Sequence, residues 1–311
     1  MLGMFESILP VFLVVVAGVV LKRLPVISAS FWDGLDQFGY YVLFPALLFE
    51  TLARADFAAM ASGSVVLTAV AAFLAMIVMT LAIWPIARRA GMAAPSFSTL
   101  FQTATRWNGF MALALAEKIA GHTGLTVVAV VMAAIVIPTN IVNVAVVTWF
   151  SGADRDPRAL LVKIFTNPII IGGLLGVIVN ASGIAVYAPV MTAIDLVARS
   201  ALGLGLIMVG AGLRVSDALK PQPAVVLSTA LKLLVFPAVM LAIGLAAGLS
   251  GDILLMLALS AGVPTAMNGY VLAKQLGGDA PLYAATTTVQ TIAAFFSIPL
   301  VLKLAAYATG G

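Results

Sequence analysis

Apolar stretches of about twenty residues follow one another along almost the whole chain, and this pattern constrains the fold more than any motif does. They run over about 4–21, 35–53, 64–87, 97–116, 124–150, 164–181, 189–212, 224–248, 253–273 and 283–306. A bilayer core about 30 Å thick takes roughly 20 apolar residues per helix. The chain therefore reads as an all-α integral membrane protein of ten transmembrane helices. Composition closes the soluble alternative, because 63% of residues are hydrophobic and only 9% charged, where a soluble domain carries roughly a quarter. The first stretch lacks the basic start and small-residue cleavage site of a signal peptide and is read as a permanent helix.

The few charges sort by connection. Lys22, Arg23, Arg88, Arg89, Arg155, Arg158, Lys163, Arg214, Lys220 and Lys274 fall in one alternate set, and Arg54, Lys118 and Lys303 in the other. By the positive-inside rule the first set is cytoplasmic, which puts both termini outside. The net charge of +4 is spread over these connections without a basic run, so no nucleic-acid partner is expected. With no cysteine and a single histidine, His122, neither a thiolate nor a histidine-rich metal site can be built. Phosphate-cradling glycine loops and serine, histidine and acid combinations are missing as well. The expectation is a non-enzyme with no cofactor and no metal.

Self-similarity divides the chain. Asn108-Gly109-Phe110 matches Asn268-Gly269-Tyr270, Leu52-Ala53-Arg54 resembles Gly212-Leu213-Arg214, and Ile137-Pro138 matches Ile298-Pro299, all at nearly one spacing. Pro10 and Gly18 pair with Pro168 and Gly176 in the same way. A fixed offset marks a repeat. The predicted units are a first five-helix repeat over 1–152, a cytoplasmic linker over 153–163 and a second five-helix repeat over 164–311. Five is odd, so the second copy lies inverted in the membrane, an arrangement typical of alternating-access transporters.

Helices four and nine carry the informative residues. Arg106, Asn108 and Gly109 interrupt one, and Gly262, Pro264, Asn268 and Gly269 the other. Broken helices are tolerated at membrane depth only where they are buried in protein or line a cavity. Half-helix N-termini meeting near the midplane would bring partial positive charge and free N–H groups, the ingredients of an anion site. Arg106, at mid-depth, costs at least about 2.5 kcal/mol to bury, so it should face a cavity or a partner, and its planar fork suits a carboxylate. A buried arginine tied to backbone carbonyls is the structural alternative. Asn108 and Asn268 can cap helices, bind a ligand, or do both.

Lys232, inside helix eight, is a candidate for proton exchange or for a fixed positive charge where a relative binds sodium, against a structural ion pair. Asp195 and Arg199 have the spacing of a local ion pair, with proton coupling as the less favoured role. Glu50 and Arg54 repeat that spacing near a helix end, where snorkelling makes charge cheap, and receive no function. Asn140 and Asn143 in helix five, and Thr286, Thr287, Thr288, Gln290 and Thr291 in helix ten, line a pathway or bond between helices, with Gln290 the preferred ligand. Trp107, Phe110 and Tyr270 flank the breaks. The glycine pairs Gly172/Gly176 and Gly244/Gly248 have the spacing of close helix packing. The Asn180-Ala181-Ser182 triplet matches a glycosylation pattern too short to use.

Phe44-Pro45-Ala46-Leu47-Leu48-Phe49 in helix two, the paired Asn-Gly interruptions, the Asn167-Pro168 opening of the second half and the ten-helix length together resemble the auxin efflux carrier family over essentially the whole chain. The resemblance implies a fold like that of the sodium/proton antiporter NhaA and the bile acid sodium symporters. Helices one, two, six and seven would be the scaffold, and helices three to five and eight to ten the transport domain, with four and nine crossing at the substrate. It also implies an organic anion, malonate-like in bacterial members. Pro264, Asn108 and Asn268 fit the family's crossover, whereas helix four has Thr105-Arg106-Trp107 where the family's proline is expected.

The expected function is secondary transport of a small organic anion, a mono- or dicarboxylate, across the bacterial inner membrane. The expected substrate-binding residues are Arg106, Asn108, Gly109, Pro264, Asn268, Gly269 and Gln290. Lys232, Asp195 and Arg199 are the coupling candidates, with a proton or sodium as coupling ion and a homodimer admitted as assembly. A sodium-coupled symporter of the bile acid type and a membrane-embedded enzyme are the alternatives.

Overall fold

The computed structural model describes residues 2–55, 57, 62–151, 166, 168–214, 222–267 and 269–308. The predicted linker at 153–163, together with Asn167 and Asn268, lies outside the described residues. Among those described, every regular element is helical. The order is α1 (Leu2–Leu21), α2 (Ala29–Phe38), a π-helical turn (Gly39–Leu43), α3 (Phe44–Ala53), α4 (Ser62–Ala82), α5 (Trp84–Arg89), α6 (Ala94–Thr105) and α7 (Gly109–Ser151). The second half follows with α8 (Pro168–Ser182), α9 (Ala188–Gly212), α10 (Pro223–Ala230), a second π-helical turn (Leu231–Val235), α11 (Phe236–Ala246), α12 (Gly251–Gly262), α13 (Gly269–Leu276) and α14 (Ala280–Ala308).

Among the described residues, five helical runs are long and apolar enough to cross a membrane: Gly63–Arg89, Ala94–Val136, Ala188–Gly212, Pro223–Ala246 and Ala280–Ala308. Phe5–Leu21, Pro168–Ser182 and Gly251–Gly262 are shorter apolar helices. The runs fall short of ten partly because expected helix nine is cut into α12 and α13, and because Ala94–Val136 takes expected helices four and five together across the interruption between α6 and α7. A further corner divides α7 itself. Ala120 (φ −130°, ψ 17°) and Gly121 (φ 57°, ψ −146°) leave helical geometry there, and only glycine adopts the second of these conformations readily.

Polarity is distributed inside out. Leu13, Leu67, Leu196 and Phe296 are each more than half exposed, while Gln102, Asn143, Lys232 and Gln290 are fully buried. In water so many scattered apolar surfaces would invite association. Against lipid they are the favourable outer face, and the polar groups gather inside where they satisfy one another.

Glycines set the closest helix contacts. A Cβ at Gly172 would lie 2.6 Å from the Pro45 carbonyl oxygen and one at Gly176 2.7 Å from that of Phe49, so α8 packs backbone to backbone on α3, as the spacing of this pair predicts. Gly18 and Gly210 do the same between α1 and α9, each facing a carbonyl of the other helix. The pair Gly244/Gly248 behaves differently from the expectation. Gly244 packs on Leu254, but Gly248 has open space around it and φ 75°, and Leu249 N donates to the Gly244 carbonyl at 2.9 Å. Gly248 therefore ends α11 as a left-handed cap.

α1, α3, α8 and α9 pack mainly on one another, and α4, α6, α7 and α10–α14 form a second set. α7 touches both sets. Asn180 ties α8 to the end of α3, donating to the Ala53 and Ala55 carbonyls at 3.0 and 2.8 Å. This use of its amide agrees with setting the glycosylation triplet aside.

Candidate functional site

The helical ladder stops twice near the middle of the second set of helices, and the two stops touch. α6 ends at Thr105, and Arg106 is extended (φ −77°, ψ 160°). α12 ends at Gly262, with Val263 in nearly the same conformation (φ −72°, ψ 151°). Asn108 N donates to the Pro264 carbonyl at 2.8 Å, so backbone freed at one break satisfies backbone freed at the other. Each interruption would otherwise leave polar main chain unpaired in an apolar interior.

Side chains from distant helices complete the joint. Gln290 on α14 uses both ends of its amide. Oε1 accepts from Thr265 N at 2.9 Å, and Nε2 donates to the Thr103 carbonyl at 3.1 Å, with the Ser228 hydroxyl at 3.3 Å. Thr103 and Ser228 hydroxyls lie 2.6 Å apart. Tyr283, fully buried, donates to the Ala266 carbonyl at 2.7 Å and sits 3.1 Å from the Thr265 hydroxyl. The ammonium of Lys232, in the second π-helical turn, donates to the Ala261 carbonyl at 2.8 Å and lies 4.5 Å from the Phe236 ring centroid. A cation at the carboxyl end of α12 complements the helix dipole and takes up a carbonyl the broken ladder leaves free.

The first break is held more loosely. Asn108 caps α7, its Oδ1 accepting from Met111 N at 3.1 Å while its carbonyl accepts from Ala112 N at 3.0 Å. The Gly109 and Phe110 N–H groups are left without an intrahelical acceptor. Arg106 is buried and its Nη2 donates to Asn140 Oδ1 at 3.0 Å, but Nη1 is buried with no partner among the described residues. Neighbouring Thr105 reaches Asn143 Oδ1 at 3.3 Å. One turn back, Gln102 is completely buried, and neither Nε2 nor Oε1 has a partner among the described residues.

The structure thus brings Arg106, Asn108, Gly109, Pro264 and Gly269 to one locality. A Cβ on Gly109 would press on Met132 at 3.2 Å, and one on Gly269 would fall on the Tyr283 hydroxyl. Gln290 is in the same place, but its amide is taken up by protein groups, which differs from its expected role as a ligand. Asn268 lies outside the described residues. Trp107 is buried, Phe110 stacks on Phe44 with centroids 3.3 Å apart, and the Tyr270 hydroxyl accepts from Arg214 Nη2 at 3.1 Å. Gln102, Thr103, Ser228 and Tyr283 went unremarked in the sequence. Only Gln102 carried a usable signal, an amide four residues before an arginine within an apolar stretch.

Asp195 and Arg199 form the anticipated local pair at 2.8 Å, and Glu50 and Arg54 another at 3.0 Å. Their setting is more than local. With Glu117 and His122 from the corner of α7 they line a recess of about 370 Å³ between α3, α9 and α7, and Arg199 is within electrostatic reach of Glu50 and Glu117. Arg214, aligned with Arg54 in the expected repeat, instead contacts the other set of helices, through Tyr270 and through its backbone N–H to Thr288 Oγ1 at 3.1 Å. Among the described residues, no group of three or more His, Cys, Asp or Glu could hold a metal ion.

No curated protein matches the chain. Residues 157–302, which include the second break, Lys232 and Gln290, match the family described as membrane transport protein. With helices long and apolar enough to cross a bilayer and that match, the chain is an integral membrane protein whose residues 157–302 match the auxin efflux carrier family of membrane transporters.

Proposed function

We propose that this transporter is a secondary carrier for a small organic anion, a mono- or dicarboxylate, working by alternating access in the bacterial inner membrane. The observation that carries the reading is the contact of the two breaks, Asn108 N to the Pro264 carbonyl at 2.8 Å, beside a buried guanidinium with an uncommitted Nη1. Arg106, the Gly109 and Phe110 N–H groups that lack an intrahelical acceptor and the asparagines of the breaks supply donors and positive charge, and a carboxylate supplies acceptors only. Pro264 presents the carbonyl that meets Asn108 N, and Gly109 and Gly269 leave room for the Met132 and Tyr283 side chains beside the joint.

The inverted repeat gives the motion. The helices α1, α3, α8 and α9 act as scaffold, and the set around the breaks moves against them. On the positive-inside orientation the Glu50 and Arg54 recess faces outward, while Arg214 closes the two sets together on the cytoplasmic side. This combination supports an outward-facing arrangement. Lys232 serves as a fixed charge at the carboxyl end of α12, in place of a bound sodium ion. Asp195 and Arg199 sit in the outer recess and contribute to its field.

Purified protein in liposomes should show saturable counterflow of a carboxylate at the same rate with sodium or potassium as the only cation. Flux no greater than in empty liposomes across a broad panel would remove the substrate class. A strict sodium requirement would replace the reading by sodium symport of the bile acid type, and chemical alteration of the recovered solute would replace it by an enzyme.

A further inference from the structure

We propose that Gln102 is a specificity-determining residue of the first break, selecting carboxylates that carry a hydrogen-bond donor beside the acid group. The inference rests on the carboxylate-carrier reading and deepens it.

Gln102 and Arg106 are one turn apart, joined by Arg106 N donating to the Gln102 carbonyl at 2.8 Å. Within that turn three side-chain atoms are buried without a partner among the described residues: Nε2 and Oε1 of Gln102 and Nη1 of Arg106. Most other buried polar atoms in this condition are serine or threonine hydroxyls, such as those of Thr51, Thr68, Thr80 and Ser297. A hydroxyl on a helix can turn back to a carbonyl of its own helix, so those cases resolve locally. A glutamine amide has a donor and an acceptor that both need outside partners. Buried amides nearly always have them, and Gln290 at the same joint uses both of its ends. Leucine would fill the volume of Gln102 without orphaning two polar atoms, so the glutamine is costly unless something else completes it.

The chemistry of the missing partner follows from the atoms on offer. Guanidinium Nη1 and amide Nε2 donate, and a carboxylate accepts from both. Amide Oε1 accepts, and a bare carboxylate has nothing to give it. A ligand that satisfies all three atoms therefore joins a carboxylate to a donor, either a hydroxyl on the adjacent carbon or a second carboxyl in its protonated form. Interchanging the two ends of the amide leaves the requirement unchanged, since one donor and one acceptor remain. An acid lacking the donor would leave Oε1 buried and bare, the situation in which polar sites discriminate most strongly.

Counterflow in proteoliposomes, measured with the matched pairs lactate against propionate and glycolate against acetate, tests this. The parent should prefer the hydroxylated member by about tenfold or more in half-saturating concentration. Gln102→Leu should bring each pair within about twofold, chiefly by losing the hydroxylated member, with the Tm of the ligand-free protein in detergent equal to or above the parent's. Carboxylate flux without preference in the parent would overturn the inference and leave the carrier reading standing. No carboxylate flux at all would remove both. Preference retained in Gln102→Leu, or a Tm lowered by several degrees in both Gln102→Leu and Gln102→Met, would assign the amide to a structural partner and overturn the proposal.

Discussion

The two breaks share a motif and differ in how they are held. Among the described residues, the first spans Arg106 to Asn108 and the second Val263 to Met267. The longer gap is the better tied, because Gln290, Tyr283 and Lys232 each bond main chain of the second break or the turn of α12 before it. At the shorter gap Asn108 caps its own helix and Asn140 takes one guanidinium nitrogen, while the Gln102 amide and the other nitrogen have no partner among the described residues. The same side chain thus plays opposite parts at the two positions. Glutamine at 290 holds the joint shut, and glutamine at 102 lies beside it uncommitted. A joint of two breaks can in this way concentrate rigidity in one half and recognition in the other, since a rigid frame keeps orphaned groups in position.

The contrast is open to direct attack. Gln290→Leu carries the largest expected effect on stability, because it strands Thr265 N–H and the Thr103 carbonyl as well as removing the amide. At about 1–3 kcal/mol for each stranded group, the loss should reach about 3 kcal/mol and show as a sharply lowered midpoint on thermal unfolding in detergent. A midpoint equal to the parent's would mean that the second break is not held as described. Arg106→Ala is the counterpart at the first break. It should leave the protein folded and raise the half-saturating carboxylate concentration about 10- to 100-fold, the equivalent of about 1.5–3 kcal/mol for a charge-assisted bond. Unchanged transport in that variant would place recognition elsewhere.

Smaller effects sharpen the comparison. The half-helix after the first break turns its corner at Gly121 (φ 57°, ψ −146°), and the one after the second ends at Gly277 (φ 77°). Gly121→Ala should destabilise by about 1–3 kcal/mol, because its conformation is closed to other residues. Equal stability of that variant and the parent would show that the corner relaxes. Least of all, Tyr270→Phe deletes a single partly exposed bond to Arg214. About 0.5–1 kcal/mol should appear as a modest change in counterflow rate with little change in midpoint. A loss as large as that of Arg106→Ala would make Tyr270 part of recognition.

Of the features that carry the resemblance, Asn167-Pro168 and Asn268-Gly269 fall within the family match over 157–302, while Phe44 to Phe49 and Asn108-Gly109 lie before it. The location of the breaks was legible for a local reason. Asparagine caps the helix that follows it and glycine weakens the one it sits in, so Asn108-Gly109 and Asn268-Gly269 mark interruptions without knowledge of any neighbour. The corner at Gly121 was legible as the gap between two apolar stretches. What Gln290 does was not, because its amide reaches Thr103, 187 residues away. Nor was the recess, whose charged residues come from three helices and had read as two separate i,i+4 pairs.

Sequence alone therefore determined that the chain is an all-helical membrane protein, where its helices stop, and which family it resembles. These follow from apolar length and from backbone preferences that act within a few residues. Tertiary structure alone decided which polar groups are used up and which remain. Satisfaction of a buried hydrogen-bonding atom depends on what a distant helix presents to it, and no local pattern records that. Lys232 meeting the Ala261 carbonyl, and Gln102 meeting no partner among the described residues, are the two outcomes that separate the frame of this transporter from its candidate recognition site.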